Sequence, residues 1–205
     1  MIGVPAIYAL FSSAGKWNLP NKNKCVINLF FTIWLVLLAL RSTFLGADLP
    51  VYKFHFLNYA KLTWIEIFRG TVIGEFEAGY VVLSKICSYF TDNFQFVMIA
   101  CALISVIPVW KLYKNEARHG YLMIVLFVNI APFAMYFSGL RQVLAMSFVV
   151  PCYYFCKNKK PLKFLISVIV AYFIHKSAFI LLIFYPIYNL RLKSKSNIFR
   201  KKFWT

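Results

Sequence analysis

Residues 162–190 read LKFLISVIVAYFIHKSAFILLIFYPIYNL, an apolar run interrupted in its middle by His175 and Lys176. Bases crowd both of its ends, with Lys157, Lys159 and Lys160 before it and Arg191, Lys193 and Lys195 after it. Short cytoplasmic loops of membrane proteins are enriched in lysine and arginine, so both flanks belong on one side and the run must go in and come back. Each limb holds roughly 13 residues, which at about 1.5 Å per residue is about 20 Å, less than a hydrocarbon core of about 30 Å. The turn at His175 and Lys176 is therefore expected below the outer surface, surrounded by protein or water and shielded from lipid.

Upstream of this run lie further uncharged stretches, Ile2–Ser12, Cys25–Leu40, Phe94–Trp110, Tyr121–Phe137 and Leu140–Cys156, the last with one arginine near its start. Runs of about 17 to 25 apolar residues cross the hydrocarbon as helices, and none of these stretches alternates as a barrel strand does. Of the 205 residues 61% are apolar and 14% charged, against about 25% charged in an ordinary soluble domain, which excludes a water-soluble fold and a disordered chain. The expectation is an all-α fold, a polytopic transmembrane helical bundle with interfacial or re-entrant helices, forming a single multi-pass domain over residues 1–205 with no internal repeat. Ile2–Ser12 is too short to cross alone and has no base before it, so it reads as a clipped or re-entrant helix and not as a signal peptide.

Lysine and arginine outnumber aspartate and glutamate by 23 to 6, a net charge of +17. With residues 13–24 inside, alternate loops put Lys111, Lys114 and Arg118, then the bases of 157–163, then the basic tail on the same side. The other side holds only Arg41, Lys53, Lys61, Arg69, Lys85, Arg141 and Lys176. Anionic headgroups of the cytoplasmic leaflet account for such a bias, so membrane lipids are the expected partners and nucleic acid is not. The external segment 41–95 carries Asp48, Glu66, Glu75, Glu77 and Asp92. Within it the apolar residues from Phe54 to Phe68 suit an amphipathic helix lying in the interface, Glu77–Phe90 suits a second helix, and Asp92 is placed to cap the next span. Cys152 and Cys156, four apart on one helix face, are read as packing; no metal, cofactor or disulfide is expected.

Ionisable side chains at membrane depth are costly and so mark function, each against a blander reading. Arg41 closes an apolar helix in Arg-Ser-Thr-Phe-Leu-Gly-Ala-Asp, where it is either an anion-binding group or an interfacial anchor, with Asp48 a loop residue. Arg141 and Gln142 lie in Ser138-Gly139-Leu140-Arg141-Gln142 between two spans joined by almost no loop. A guanidinium suits phosphate oxygens, while the blander role for Arg141 is an ion pair with Glu75 or Glu77. His175 is a general base, a donor to phosphate, a clamp, or a satisfied structural histidine. Together Arg41, Arg141 and His175-Lys176 are expected to line one outward-facing, anion-holding hollow, beside aromatic residues such as Tyr52, Trp64, Tyr80 and Tyr89.

Four segments carry a resemblance to a known family: Ala39-Leu40-Arg41-Ser42 with Gly46-Ala47-Asp48 and Tyr52; Glu77-Ala78-Gly79-Tyr80 with Asn93-Phe94-Gln95; Gly139-Leu140-Arg141-Gln142-Val143-Leu144-Ala145; and Ala171-Tyr172-Phe173-Ile174-His175-Lys176-Ser177-Ala178. In this order the chain resembles the EpsG family of bacterial multi-pass proteins, which belong with the Wzy-like polymerases of exopolysaccharide and capsule assembly. Members usually begin with a complete first span and continue beyond the His-Lys segment, so this chain is expected to be incomplete relative to them. The resemblance implies a glycosyltransferase-type polymerase in the bacterial cytoplasmic membrane, joining polyprenyl-pyrophosphate-linked oligosaccharide repeats on the outer face, with a chain-length regulator as a further partner. On that reading Arg141, His175 and Asp48 are catalytic, and Arg41, Gln142, Lys176 and Tyr52 bind substrate. The competing readings are a flippase for lipid-linked sugars, which needs more spans or repeat symmetry, a polysaccharide acyltransferase, which needs its histidine near the cytoplasm, and an inactive remnant.

Overall fold

The structure, a computed structural model, describes residues 22–69, 76–116, 120–129 and 131–189. The Ile2–Ser12 run, Glu75, Arg118 and the basic tail lie outside the described residues. All regular structure among the described residues is helical. In chain order the helices are α1 (Lys22–Leu40), α2 (Leu49–Tyr59), α3 (Trp64–Arg69), α4 (Ala78–Ser88), α5 (Phe94–Glu116), α6 (Gly120–Asn129), α7 (Ala131–Met135), α8 (Leu140–Ser147), α9 (Val149–Lys157), α10 (Pro161–Ile174) and α11 (Phe184–Asn189). Short 3₁₀ segments run over Thr43–Leu45 and Lys176–Ile183.

At 23 residues, α5 is the one helix among the described residues that is long and apolar enough by itself to cross a membrane; the apolar helices of α1, α4 and α10 are shorter. Its antiparallel partner is α1. Near one end Trp110 Nε1 donates to Asn28 Oδ1 at 3.0 Å and its indole stacks on Phe31, 6.2 Å between centroids. At the other end the Gln95 side-chain amide donates to the Ala39 carbonyl at the close of α1. Asn93, not the expected Asp92, caps α5, its Oδ1 accepting from Gln95 N at 2.9 Å.

Two of the uncharged runs are not continuous helices. Leu140–Cys156 divides at Phe148 into α8 and α9 because Pro151 has no N–H for the Ser147 carbonyl and its ring crowds that carbonyl. Within Tyr121–Phe137 the described helices are α6 and α7, and α7 ends at Met135 in a turn over residues 136–138.

The expected interfacial helix over Phe54–Phe68 is instead two helices. Thr63 and Glu66 form a capping box that starts α3: Glu66 Oε2 accepts from Thr63 N at 2.7 Å and from its hydroxyl at 2.8 Å, and Glu66 N donates to Thr63 Oγ1 at 3.3 Å. α2 itself carries apolar residues on both sides, with Val51, Phe54 and Leu57 exposed. Leu49, Tyr52, Phe56 and Tyr59, spaced three and four apart, are buried against Tyr80, Val97 and Leu144. Pro50 in its first turn costs no hydrogen bond.

The chain reverses at His175. Tyr172 on α10 meets Phe179 beyond the turn, 6.5 Å between centroids, and Phe164 at the far end of α10 meets Tyr185 on α11 at 5.1 Å. At 14 residues, α10 is about 21 Å long, and the return limb is the 3₁₀ segment Lys176–Ile183 followed by α11. Cys152 and Cys156 pack with Phe164 and Val168 behind this hairpin.

Gly79 lets α4 approach the end of α10. A Cβ there would stand 2.8 Å from the Phe173 carbonyl oxygen and 2.9 Å from Ile174 Cγ1, too close for either to stay. Gly46 is likewise pressed on the Phe137 carbonyl. Replacing Gly79 by alanine should cost about 1–3 kcal/mol, the usual range for forcing a methyl into a packed contact. It should lower the thermal unfolding midpoint of the detergent-solubilised protein, and an unchanged midpoint would show that the contact is slack.

Candidate functional site

Four elements meet at one carboxylate. Glu77 precedes α4 with extended backbone and makes no capping bond to that helix, which leaves its side chain to reach across to its neighbours. Its Oε2 accepts from Arg141 Nη1 on α8 at 2.5 Å, and its Oε1 lies 2.9 Å from His175 Nδ1. The Lys176 backbone N–H also donates to Oε1, at 3.3 Å. The glutamate side chain is 11% exposed and those of Arg141 and His175 are 19% exposed. The cluster is therefore recessed yet reachable.

The arginine is held from other directions as well. Arg141 Nε donates to the Tyr52 hydroxyl on α2 at 3.2 Å, and its guanidinium carbon sits 4.2 Å above the centre of the Phe76 ring. That is cation–π range, worth most where water is excluded. Tyr52 and Phe76 in turn stack on each other, 5.1 Å apart and 25° from parallel. A planar cation against a planar ring, fixed at two nitrogens by an anion and a hydroxyl, has little freedom to turn.

Of the sequence-derived candidates, the structure thus brings together Arg141, His175, the Lys176 backbone and Tyr52. The ion pair weighed as the blander role of Arg141 forms, with Glu77 as the partner. Lys176 directs an exposed side chain outward. Gln142 folds its amide back over the Cα of Gly139. Asp48 is exposed at the head of α2, one turn before Tyr52, whose N–H bonds the Asp48 carbonyl at 3.1 Å.

Arg41 has different neighbours. Its Nη1 donates to the Tyr136 carbonyl at 2.5 Å, its guanidinium carbon is 6.0 Å from the Phe137 ring centre, and it lines a small cavity with Met98, Cys101 and Ser105. The residue is 6% exposed. Hence one expected member of the outward-facing hollow sits in the helix interior. Glu77 and Phe76 were missed as site residues; Glu77-Ala78-Gly79 was visible as a segment, but no spacing in it shows that Arg141 will lie over Phe76.

Burial pushes the Glu77 carboxyl pKa up, but the backbone N–H groups of Glu77 and Lys176 and the Arg141 guanidinium push it down by more, so it titrates below its ordinary value. A depressed carboxyl adds stability that is complete above the unfolded pKa, about 4.3 for glutamate, and fades as pH falls towards the folded value. The unfolding midpoint of the solubilised protein should therefore exceed that of Glu77→Gln at about pH 5 and above. The margin should shrink below about pH 4; a margin unchanged down to about pH 3 would contradict this.

No curated protein and no solved structure matches the chain. The model of the EpsG family matches residues 24–200, a stretch that takes in most of α1, the segment 41–95, Arg141 and the His175 turn. The chain belongs to the EpsG family.

Proposed function

We propose that this chain is a single multi-pass domain of the bacterial cytoplasmic membrane that polymerises oligosaccharide repeats carried on polyprenyl pyrophosphate, at the outer face, in exopolysaccharide or capsule synthesis. The observation that carries the reading is the convergence of Arg141 and His175 on one recessed site in a chain of the EpsG family. A membrane setting is supported by where the apolar surface lies. On α10 the exposed residues besides Pro161 and Lys163 at its start are Leu162, Leu165, Ile166, Ile169, Val170, Tyr172 and Phe173, while Ser167 is turned inward. On α1 Leu29, Ile33, Val36, Leu37 and Leu40 form an exposed stripe opposite a buried face that is also apolar. Surfaces of this extent are a liability in water and an ordinary solvent-facing surface in hydrocarbon.

In the reaction, an acceptor sugar hydroxyl attacks the anomeric carbon of the donor repeat. The bond from that carbon to the pyrophosphate oxygen breaks, polyprenyl pyrophosphate leaves, and the hydroxyl proton passes to a base. His175 takes the proton, and the remaining polar atoms around Arg141, with the exposed Lys176 ammonium, face the charge that develops on the leaving oxygen. Asp48 and Tyr52, a turn apart on α2, lie on the sugar side, with Gln142 beside Arg141. A chain-length regulator acts on the growing product. Arg41 serves by holding α1 to the Tyr136 carbonyl.

Arg141→Lys keeps the charge but loses the planar fork that spans Glu77 and Tyr52. It should cut polymer yield by at least about tenfold, which corresponds to about 1.4 kcal/mol of lost transition-state stabilisation, with the protein still inserted in the membrane. Polymer of normal length and amount on a gel, from a strain whose only copy carries Arg141→Lys, would defeat the proposal.

A further inference from the structure

We infer that Glu77 is a positioning residue that fixes His175 as the tautomer protonated at Nδ1, leaving the Nε2 lone pair for the acceptor sugar hydroxyl. The inference deepens the polymerase reading and rests on it for the identity of that hydroxyl.

A carboxylate has only acceptor atoms. Glu77 is ionised, because its carboxyl titrates below the ordinary range. With His175 Nδ1 at 2.9 Å from Oε1, the bond exists only if Nδ1 carries hydrogen and donates it. The neutral ring then has its lone pair at Nε2, on the side away from Glu77. Two features keep this arrangement from rotating away. The Oε1 atom is also bonded by the Lys176 N–H at 3.3 Å, directly after the histidine, so ring and backbone share one acceptor. The Oε2 atom is held by Arg141, so the carboxylate plane cannot turn without breaking an ion pair. Glu77 touches neither donor nor acceptor sugar in this scheme and acts through its two neighbours.

Atoms balance simply. The acceptor O–H proton moves to Nε2 as the glycosidic C–O bond forms and the C–O bond to pyrophosphate breaks. The resulting imidazolium faces the Glu77 carboxylate, then returns its proton to water or to the departing pyrophosphate. The glutamate stays ionised throughout, stabilising the charged ring as it forms.

The test is nitrogen-15 NMR of the histidine side chains in the detergent-solubilised full chain at about pH 8, where an ordinary imidazole is neutral. The His175 signals are identified by their loss in His175→Gln. The wild type should show an Nδ1–H tautomer at His175. Glu77→Gln should move it to the Nε2–H form or a mixture, and should lower polymer yield in cells by about a hundredfold, the scale of a misdirected general base. Glu77→Asp, which retains a carboxylate, should keep the tautomer and recover part of the yield. It also stands in as the variant of record if Glu77→Gln does not accumulate in the membrane, with Nδ1–H at His175 again the expected result. An Nε2–H tautomer in the wild type, an unchanged tautomer in Glu77→Gln, or full polymer yield from Glu77→Gln despite a changed tautomer would each overturn the inference. If instead the tautomer depends on Glu77 as expected but deleting the whole gene leaves polymer unaffected, it is the polymerase reading that fails, while the histidine assignment holds.

Discussion

The ion pair between Glu77 and Arg141, shared through the second carboxylate oxygen with His175, joins parts of the chain that are far apart in sequence. Glu77 stands at the head of α4, Arg141 in the first turn of α8, and His175 where α10 stops. In an apolar bundle van der Waals packing gives helices many near-equivalent ways to slide, whereas a recessed charge has few acceptable partners. Leaving either charge without its partner costs more than the pair itself contributes, so the register of α4, α8 and α10 is held by what would happen if it slipped. The close approach at Gly79 acts on the same junction sterically. It sets the distance between α4 and the end of α10, and the carboxylate then falls within reach of the imidazole.

Aromatic packing supplies the floor. Tyr52, Phe76 and Tyr80 come from two helices and the segment before α4, and each ring lies within 5.7 Å of the next. Arg141 rests on Phe76 and bonds Tyr52, so its orientation is set by a rigid, dry surface as well as by its counter-ion. A fixed guanidinium loses less entropy when it meets an oxyanion, which would let a structural ion pair and the proposed binding role coexist in one side chain.

Much of this could be read in the chain before any coordinates, and the reasons are local. The polarity of His175 and Lys176 inside an apolar run marked the reversal, because no helix would carry that pair into lipid. The uncharged runs marked the helical class. What escaped was whatever depends on contact across the fold. The choice of Glu77 for Arg141, the ring of Phe76 beneath it and the interior burial of Arg41 are set by packing, and composition is blind to packing. Other misses were legible but passed over. Pro151 announces the division of its run, Thr63-Trp64-Ile65-Glu66 has the spacing of a capping box, and Asn93 stood beside Asp92 as an equally good cap.

The burial of Arg41 bears on the order in which such a protein can be made. One nitrogen of its guanidinium, Nη1, donates to the carbonyl of Tyr136, 95 residues further along the chain. During synthesis α1 leaves the ribosome long before that carbonyl exists. If α1 lies in the bilayer, as proposed, the arginine until then needs water or headgroup oxygens, and α1 would stay shallow or tilted until the segment around Tyr136 arrives. On that proposal, the first half of the chain reaches its final depth only once the second half has been made.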